Sequence, residues 1–345
     1  MNKHKPAKKI LVIRNDKIGD FMLAWPSFAL LKSQYPETEI SALVPQYTAP
    51  LAEQCEWIDT VLIDDKKPSF FSDILNLSKN IKQHNYDLSI SLFSETRTSL
   101  SLWIAGIKLR IGPATKIAQI FLNNTLRQKR SRSLKPEYGY NLDLIKHYIK
   151  HNNDNPVILP RAPYLHFDKN EISQLRNQIK DSNGIPDDQK IIIIHPGTGG
   201  SAINLSNEQY AELIQLLSEQ SKSYFIITAG PGELSHAKAL SSLIKDASHH
   251  IHESTTGIIN FCKFINICDL FISGSTGPLH IAGALNVNTA SFYPARKSAT
   301  ALRWQTINEE NRRLHFSPEE FTGNDDMKQI DISLSATEIT QRFLL

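Results

Sequence analysis

Hydrophobic residues in the first hundred positions alternate between short apolar runs and longer amphipathic stretches. Short β-branched runs are typical of buried strands, whereas apolar residues at helical spacing indicate helices packed along one face. Pro26 lies inside the first helical stretch and is expected to kink it. The alternation predicts strands at 10–13, 39–44, 60–63 and 88–92, and helices at 21–35, 49–55, 71–84 and 98–104. This βαβα order favours a parallel, doubly wound sheet.

A second alternation of the same kind occupies the other half of the chain. Residues 152–163, rich in Asn, Asp and Pro, separate the two halves and suit a linker. The 345-residue length and 41% hydrophobic content favour two domains. The predicted domains are 1–165 and 166–330, followed by a C-terminal helix at 331–345 that packs back on the N-terminal domain. In the second half the pattern predicts strands at 190–194, 224–228 and 270–273, and helices at 207–217 and 335–345.

The composition argues against a membrane-spanning protein, a disulfide-rich secreted protein and a zinc protein. No apolar stretch reaches the length of a membrane span, and the basic N-terminus is followed only by an apolar run of strand length. Three cysteines form neither a disulfide framework nor a zinc-ligand pattern. We therefore expect a cytoplasmic globular protein without a metal site.

Two strand-loop-helix signatures carry the candidate chemistry. The strand at 10–13 runs into a segment that ends at Gly19 and Asp20, and the strand at 270–273 runs into the glycine-rich segment 274–280. In open α/β proteins such loops lie at the carboxyl edge of the sheet, where ligands bind. The first segment is acidic and suits proton abstraction, while the second is rich in hydroxyls and glycine and suits an anion such as phosphate. Together they predict a two-substrate enzyme with its site between two lobes.

Asp20 has two interpretations. At the start of a helix, an acidic residue can simply favour the helix dipole. A carboxylate on a strand-to-helix turn can also act as a general base on an acceptor hydroxyl. Arg14 and Lys17 flank it, either as anion contacts or as surface charges.

Three predicted strands of the second half end in glycine-rich turns, which together would form a backbone ledge for a nucleotide diphosphate. Thr276 and Gly277 suit a phosphate, and a threonine N-cap followed by a tight turn is the less favoured alternative. His195 and His280 are either structural or functional. The predicted donor and phosphate ligands are His195, Gly197, Thr198, Gly199, Gly230, Gly232, Ser275, Thr276, Gly277 and His280.

Several common α/β functions lack their motifs. The chain contains no G-x-G-x-x-G, no G-x-x-x-x-G-K-[ST] and no G-x-S-x-G sequence. Dinucleotide oxidoreductases, P-loop NTPases and serine hydrolases of the α/β class therefore have no positive support.

Positive charge is concentrated in one segment, although the net charge of +3 is too small to indicate nucleic acid as a partner. The segment contains no acidic residue, and it is either a solvated surface or a patch that meets an anionic substrate or membrane. Its basic residues are Lys108, Arg110, Lys116, Arg127, Lys129, Arg130, Arg132 and Lys135.

The order and spacing of several blocks resemble those of a known family. The blocks are Arg14 with Gly19-Asp20 and Pro26, Tyr86-Asp-Leu with Arg97, Arg110-Ile-Gly112, His195-Pro-Gly-Thr-Gly199, Gly230-Pro-Gly-Glu233, and residues 269–285. From residue 9 to about residue 294 the chain is similar to the ADP-heptose:lipopolysaccharide heptosyltransferases, glycosyltransferase family 9.

This resemblance implies a GT-B fold, in which two Rossmann-like domains face a central cleft. It implies inverting transfer of a sugar, with ADP-heptose as donor, to a hydroxyl of a lipopolysaccharide core or related anionic glycolipid, without a metal or other cofactor. Asp20 would be the general base, and the second domain would bind the nucleotide sugar. The protein would work in the cytoplasm, either free or in peripheral contact with the inner face of the inner membrane. Acceptor-binding residues would be Arg14, Lys17, Gly19, Arg97 and Arg110.

Two positions depart from the family pattern. The usual Lys-Arg/His-Trp-Pro is Ile203-Asn204-Leu205-Ser206 here, and the usual Asp-Ser/Thr-Gly is Ser275-Thr276-Gly277. The phosphate-binding lysine and a carboxylate near the donor sugar are therefore missing. These losses keep two alternatives open: a family member that uses another nucleotide sugar, and a non-catalytic relative that binds sugar nucleotides or glycans. The presence of Asp20 argues against the second.

Overall fold

The computed structural model describes residues 6–115, 117–152, 157–200, 203–319 and 327–345. The chain divides into two compact units. Unit 1 comprises residues 1–130 and 135–161, and unit 2 comprises residues 131–134 and 162–345. The division after residue 161 falls inside the predicted linker and a few residues before the predicted boundary at 165.

Unit 1 is built on a six-stranded parallel sheet with the strand order β3-β2-β1-β4-β5-β6. Apart from the first helical stretch, the predicted strands and helices of the first hundred residues are present, with small changes at their ends. The strands are β1 Lys9–Ile13, β2 Glu39–Val44, β3 Thr60–Ile63, β4 Leu88–Ser91, β5 Leu109–Pro113 and β6 Asn124–Leu126. The α-helices are α1 Ile18–Met22, α2 Trp25–Gln34, α3 Ala49–Glu53, α4 Phe70–Gln83, α5 Thr96–Ile104 and α6 Glu137–Asn152, with short 3₁₀ helices at Ile117–Phe121 and Arg130–Arg132.

Both faces of this sheet are covered. Leu11 and Ile13 of β1 belong to a buried apolar cluster with side chains of α4 and α5. Ile10 and Val12 are equally buried and point to the opposite face, because successive side chains of a strand alternate. Right-handed crossovers place α2 and α3 on that opposite face, and α6 packs against α2 there.

The first helical stretch differs from the prediction of one kinked helix over 21–35. It forms two separate helices, α1 and α2, and Pro26 is the second residue of α2. Proline fits the first turn of a helix because its missing N–H has no helical partner there. The chain therefore starts a new helix at Trp25 instead of bending an old one.

Unit 2 contains a second six-stranded parallel sheet, with the order β12-β11-β10-β7-β8-β9. Its strands are β7 Lys190–His195, β8 Ser223–Ala229, β9 His249–Glu253, β10 Leu270–Gly274, β11 Thr289–Phe292 and β12 Arg313–Phe316. Its α-helices are α7 Lys169–Asn183, α8 Asn207–Gln220, α9 Leu234–Ser241, α10 Ile258–Asn266, α11 Gly277–Ala284, α12 Ala301–Trp304 and α13 Ile332–Ile339. Within the described ranges, no helix has the length and hydrophobicity that crossing a bilayer requires.

The C-terminal helix belongs to unit 2, contrary to the predicted packing on the N-terminal domain. Helix α13 packs against α8 and continues into a π-helical turn, Thr340–Leu344. Ile332, Ala336 and Ile339 are buried in the same apolar cluster as the β7, β8 and α8 side chains. The apolar face of α13 thus completes the core of the domain that precedes it in sequence.

This packing predicts a clear contrast between two substitutions in α13. Ile339→Ala removes a fully buried side chain and should lower the free energy of unfolding by about 2–5 kcal/mol. Leu334→Ala, at a position 56% exposed, should change it by less than about 0.5 kcal/mol. Urea unfolding followed by circular dichroism measures both. Equal stabilities for the two variants would contradict the packing described here.

Candidate functional site

A buried arginine organises the carboxyl edge of the sheet in unit 1. Arg14 directly follows β1, and its side chain is only 2% exposed. Its guanidinium donates hydrogen bonds to Asp16 Oδ1 at 2.9 Å, Glu137 Oε1 at 3.0 Å and Asn141 Oδ1 at 3.1 Å, and it forms an ion pair with Asp20. Arg14 was predicted to contact an acceptor or to lie on the surface, but its donors are engaged inside the protein.

Burial and neighbouring charges shift the pKa values of Arg14 and Asp16 in this cluster. Burial lowers the pKa of Arg14, but Asp16, Asp20 and Glu137 outweigh that effect and hold its pKa above the ordinary value. Burial raises the pKa of Asp16 to about 7; Arg14 opposes this shift, and the neighbouring carboxylates add to it. Since Arg130 also pairs with Glu137 at 2.7 Å, the cluster combines three carboxyl groups with two guanidinium groups. Burial is the largest cause of the raised pKa of Asp16, and the neighbouring carboxyl groups of Asp20 and Glu137 add to it.

Asp20 is held in a geometry that suits a base. It lies in the first turn of α1, which begins at Ile18, so Gly19 is inside the helix and not in the turn before it. One carboxylate oxygen, Oδ1, is fixed by Arg14, and the side chain is 16% exposed. No residue in the described part of the chain donates a hydrogen bond to its other oxygen, Oδ2. Lys17, at the N-cap of α1, is exposed.

A second buried ionic cluster occupies the same edge of unit 1. Arg97 forms ion pairs with Asp64, with Glu95 at 2.9 Å and with Asp73 at 3.2 Å. Asn15, next to Arg14, donates to Asp64 Oδ2 at 2.5 Å and connects the two clusters. Arg97 was predicted to bind the acceptor. Its charge is balanced by carboxylates of the protein, so it would act on a bound acceptor by holding these carboxylates in place.

The basic segment is partly neutralised by residues that follow it. Arg130 pairs with Glu137, and Lys135 pairs with Asp143 at 2.6 Å. Arg110 is half-buried and donates to the backbone oxygen of Phe121 at 2.7 Å, and burial lowers its pKa. Arg110 thus braces the 3₁₀ helix, and its contact with the acceptor stays a prediction. The exposed basic side chains are Lys108, Arg127, Lys129 and Arg132; Lys116 lies outside the described residues.

The glycine-rich turns of unit 2 follow three adjacent strands, as predicted. Strand β7 pairs with β10 on one side and β8 on the other, so the turns after His195, Ala229 and Gly274 meet at one edge. Gly199, Gly200 and Gly232 adopt positive φ angles of 53°, 71° and 81°. Glycine reaches this backbone region without a steric penalty. The sequence therefore forms loops here that other residues would strain.

Glu233 changes the prediction of a free backbone ledge. Its carboxylate accepts hydrogen bonds from the backbone N–H of Gly199 at 2.9 Å and of Gly230 at 3.0 Å. A β-carbon at Gly197 would lie 2.2 Å from this carboxylate, so a larger residue there would force the Glu233 side chain to move and to give up these hydrogen bonds. Two amides of the ledge therefore donate to a carboxylate of the protein itself. Glu233 belongs to a motif recognised in the sequence, but no local pattern indicates this role.

His195 is a buried, neutral residue at the end of β7. Its Nδ1 is hydrogen-bonded to Thr228 Oγ1 at 2.9 Å, and its Nε2 lies 3.8 Å from Glu233 Oε2. Burial lowers the pKa of His195 to about 4, although Glu233 opposes the shift. The structural interpretation of His195 is thus the better supported one. Thr198, next in the same turn, accepts from the Gly200 N–H at 3.2 Å.

The β10–α11 turn keeps the features expected of an anion site. Thr276 is the N-cap residue of α11, yet its hydroxyl does not cap the helix and lies 3.4 Å from Ser273 Oγ. His280, one turn later, is 97% buried and its Nδ1 has no hydrogen-bond partner. Burial lowers its pKa to about 4. Unsatisfied buried polar atoms and uncapped helix amides can be completed by water, an ion or a ligand.

The structure shows what replaces the missing family lysine. Ile203 is partly buried against the apolar core of unit 2. Asn204 lies against Gly274, where its amide donates to Pro196 O at 3.0 Å and accepts from the Tyr210 hydroxyl at 2.7 Å. In place of a lysine that could contact phosphate, this chain has an apolar side chain packed on the core and a neutral amide that is hydrogen-bonded to the loop.

Among the residues that the structure describes, no group of three or more His, Cys, Asp or Glu side chains is arranged to hold a metal ion. The three cysteines, Cys55, Cys262 and Cys268, are buried and unpaired.

Sequence comparisons agree with this layout. The model of glycosyltransferase family 9 (heptosyltransferase) matches residues 74–337. A Haemophilus influenzae protein, named only provisionally as a glycosyltransferase, is 44% identical over 90% of this chain and 89% of its own length. Lipopolysaccharide heptosyltransferase 3 of Escherichia coli K12 is 24% identical over 80% of both chains.

Solved structures support the fold over nearly the whole chain. The glycosyltransferase family 9 protein of Veillonella parvula superimposes with a TM-score of 0.78 at 15% identity, covering 97% of this chain and 95% of the other. The E. coli ADP-heptose lipopolysaccharide heptosyltransferase II superimposes with a TM-score of 0.77 at 17% identity, covering 96% and 98%. These similarities agree with the expected architecture of two parallel-sheet α/β domains.

The Arg14 cluster predicts a specific pH dependence of stability. In the native state Asp16 binds its proton up to about pH 7, whereas the unfolded chain releases it near 3.8. The native state therefore binds more protons in this window, and the contribution of Asp16 to stability is lost as the pH rises towards 7. For one group the slope is at most about 1.4 kcal/mol per pH unit.

Asp16→Asn should remove this contribution, so the free energy of unfolding of the variant should fall less steeply between about pH 5 and 7 than that of the wild type. Urea unfolding at several pH values measures the difference. Asp65→Asn, at a side chain 68% exposed, is the matched control. Parallel pH profiles for wild type and Asp16→Asn would refute the assignment.

Proposed function

The chain belongs to glycosyltransferase family 9, and we propose that it transfers a sugar with inversion from a nucleotide diphosphate to a hydroxyl of a lipopolysaccharide core or related glycolipid. The observation that carries this proposal is the carboxylate of Asp20. Arg14 fixes one of its oxygens, and the other is available to a hydroxyl. A positioned carboxylate with a free oxygen is what general-base catalysis needs.

In the proposed reaction, Asp20 Oδ2 accepts the proton of the acceptor hydroxyl while the oxygen of this hydroxyl attacks the anomeric carbon of the donor sugar. The bond from this carbon to the diphosphate breaks on the opposite face, and its electron pair stays on the departing diphosphate. Arg14 holds Asp20 in place and keeps a positive charge beside it. The reaction needs no metal if prearranged donors stabilise the leaving group.

The donor would bind at the carboxyl edge of unit 2. The uncapped first turn of α11 and His280 would contact the diphosphate. The carboxylate of Glu233 would repel phosphate but accept hydrogen bonds from sugar hydroxyls, so we assign it to the ribose of the nucleotide.

A second loop lies next to this site. Since β10 and β11 are parallel and Gly274 pairs with Phe292, the loop after β11 emerges beside the α11 turn. Lys297 in that loop is exposed and supplies a cation that position 203 lacks.

ADP-heptose is the proposed donor, because relatives of this chain are named as heptosyltransferases. A second candidate is transfer of another sugar from its nucleotide diphosphate. The apolar side chain at Ile203 and the neutral Ser275 favour this candidate, since both alter the charges around the donor. Transfer assays that compare ADP-heptose with other nucleotide sugars distinguish the two.

The role of Asp20 predicts a selective loss of turnover. Asp20→Asn should lower kcat by roughly 10²–10⁴-fold, the usual range for removal of a general base, with little change in donor affinity. Steady-state kinetics and nucleotide titration measure the two quantities. Asp65→Asn should leave both unchanged. Wild-type turnover in Asp20→Asn, at unchanged thermal stability, would exclude Asp20 as the base.

The proposed donor site predicts a selective loss of binding. Thr276→Val should weaken nucleotide-sugar binding by about 1–3 kcal/mol, because a buried polar contact loses its partner. Thr337→Val in α13 is the control. Ligand-induced thermal stabilisation in excess EDTA provides the readout, since a ligand that binds only the native state raises its stability. A strict need for added Mg²⁺ or Mn²⁺ would contradict the metal-free reaction.

A further inference from the structure

Unit 1 exposes an unusual set of large apolar side chains on one of its two helical layers. They range from 40% exposed for Ile104 to 77% exposed for Phe71. This apolar face consists of Phe70, Phe71 and Leu75 on α4, Trp103 and Ile104 on α5, and Ile117 and Ile120 on the 3₁₀ helix.

The opposite layer of the same sheet provides an internal comparison. Helices α2 and α6 cover that side, and among their described side chains none of the large apolar ones is exposed. Scattered apolar side chains are normal on protein surfaces, but several on adjacent elements indicate a contact surface. The difference between the two layers therefore indicates that the α4–α5 layer meets something apolar.

The elements that carry the apolar face lie side by side. Helix α4 packs against α5, and α5 packs against the 3₁₀ helix. The Trp103 ring lies 6.3 Å from the ring of Phe121, which joins the last two elements. Arg110 fixes the end of the 3₁₀ helix through the Phe121 carbonyl. The exposed side chains are thus presented on a braced surface.

The charge around the apolar face indicates what binds to it. Residues 66–135 contain 13 Lys and Arg but only three acidic residues, Asp73, Asp87 and Glu95, whereas the whole chain has 38 against 35. Asp73 is buried and paired with Arg97. The side chains of Lys66, Lys79, Lys82 and Lys108 are exposed on or beside the elements of the apolar face. Aromatic and aliphatic side chains fringed by lysine match the interfacial zone of an anionic bilayer.

We infer that the apolar face docks unit 1 onto a membrane that contains anionic phospholipid, with its aromatic and isoleucine side chains in the interfacial layer and its lysines at the headgroups. This inference deepens the proposed function, because it rests on an acceptor carried by a lipid and names the surface that meets the membrane. Docking is a binding property and is measurable without the transfer reaction.

Fluorescence of the intact wild-type protein tests the contact directly. Trp25 is fully buried, whereas Trp103 is 54% exposed. Vesicles of phosphatidylethanolamine and phosphatidylglycerol should shift the emission to shorter wavelength, and brominated lipid should quench it. Trp103→Phe should lose most of this response. An unchanged spectrum, or a full response in Trp103→Phe, would overturn the inference.

Vesicle sedimentation tests the surface by mutation. Ile117→Ser with Ile120→Ser should weaken binding to the anionic vesicles by about tenfold or more, because two side chains no longer transfer apolar surface into the bilayer. The control, Leu243→Ser with Leu334→Ser, changes exposed leucines of unit 2 and should bind like the wild type. Binding should be weaker on vesicles of phosphatidylcholine alone and should fall with salt.

Two further readouts separate the alternatives. If sedimentation velocity shows a wild-type dimer that the isoleucine variant converts to a monomer, the occupant is a second copy and the membrane inference is wrong. Transfer to a detached, lipid-free acceptor should be unchanged in the isoleucine variant. Absence of transfer in every protein would overturn the proposed function alone, while equal vesicle binding by variant and wild type would overturn the docking surface alone.

Discussion

One buried guanidinium determines the arrangement of the carboxyl edge of unit 1. Arg14 extends from the central strand β1 and contacts residues of α1 and α6 as well as a backbone oxygen at the end of β4. An unpaired buried charge would be strongly destabilising, so these elements must supply its partners. The position of Asp20 follows from that requirement. A structural ion pair and the orientation of the proposed base are therefore the same interaction.

In unit 2 a carboxylate, that of Glu233, has the corresponding role of holding the loops at the carboxyl edge of the sheet. Glu233 fixes the turns after β7 and β8 by accepting from their backbone amides, and its carboxylate stays at the edge where a nucleotide would bind. The neutral, buried His195 lies beneath it and adds no competing positive charge. The α11 turn, by contrast, retains donors. This distribution separates the part of the edge suited to hydroxyl groups from the part suited to phosphate.

The sequence predicted the fold better than the site, and particular residues show why. Apolar runs such as Ile191–Ile194 identify central strands, whereas β9 escaped prediction because it contains three histidines in five residues. Glu137 and Asn141 were missed because their contacts to Arg14 span more than 120 residues, and no local pattern records them. Arg97 and Arg110 were assigned to the acceptor substrate through the resemblance to the family, and the sequence could not reveal that oxygens within the protein already accept from their side chains.

The missing β-carbon at Gly197 couples two positions that are distant in sequence. Any larger residue there would occupy the volume of the Glu233 carboxylate, so a substitution at either position changes what the other tolerates. The pair is separated by a strand and a helix in sequence but shares one small volume. A side chain at position 197 would displace the Glu233 carboxylate and release the two backbone amides that it holds, so the conformation of two turns depends on the absence of one side chain.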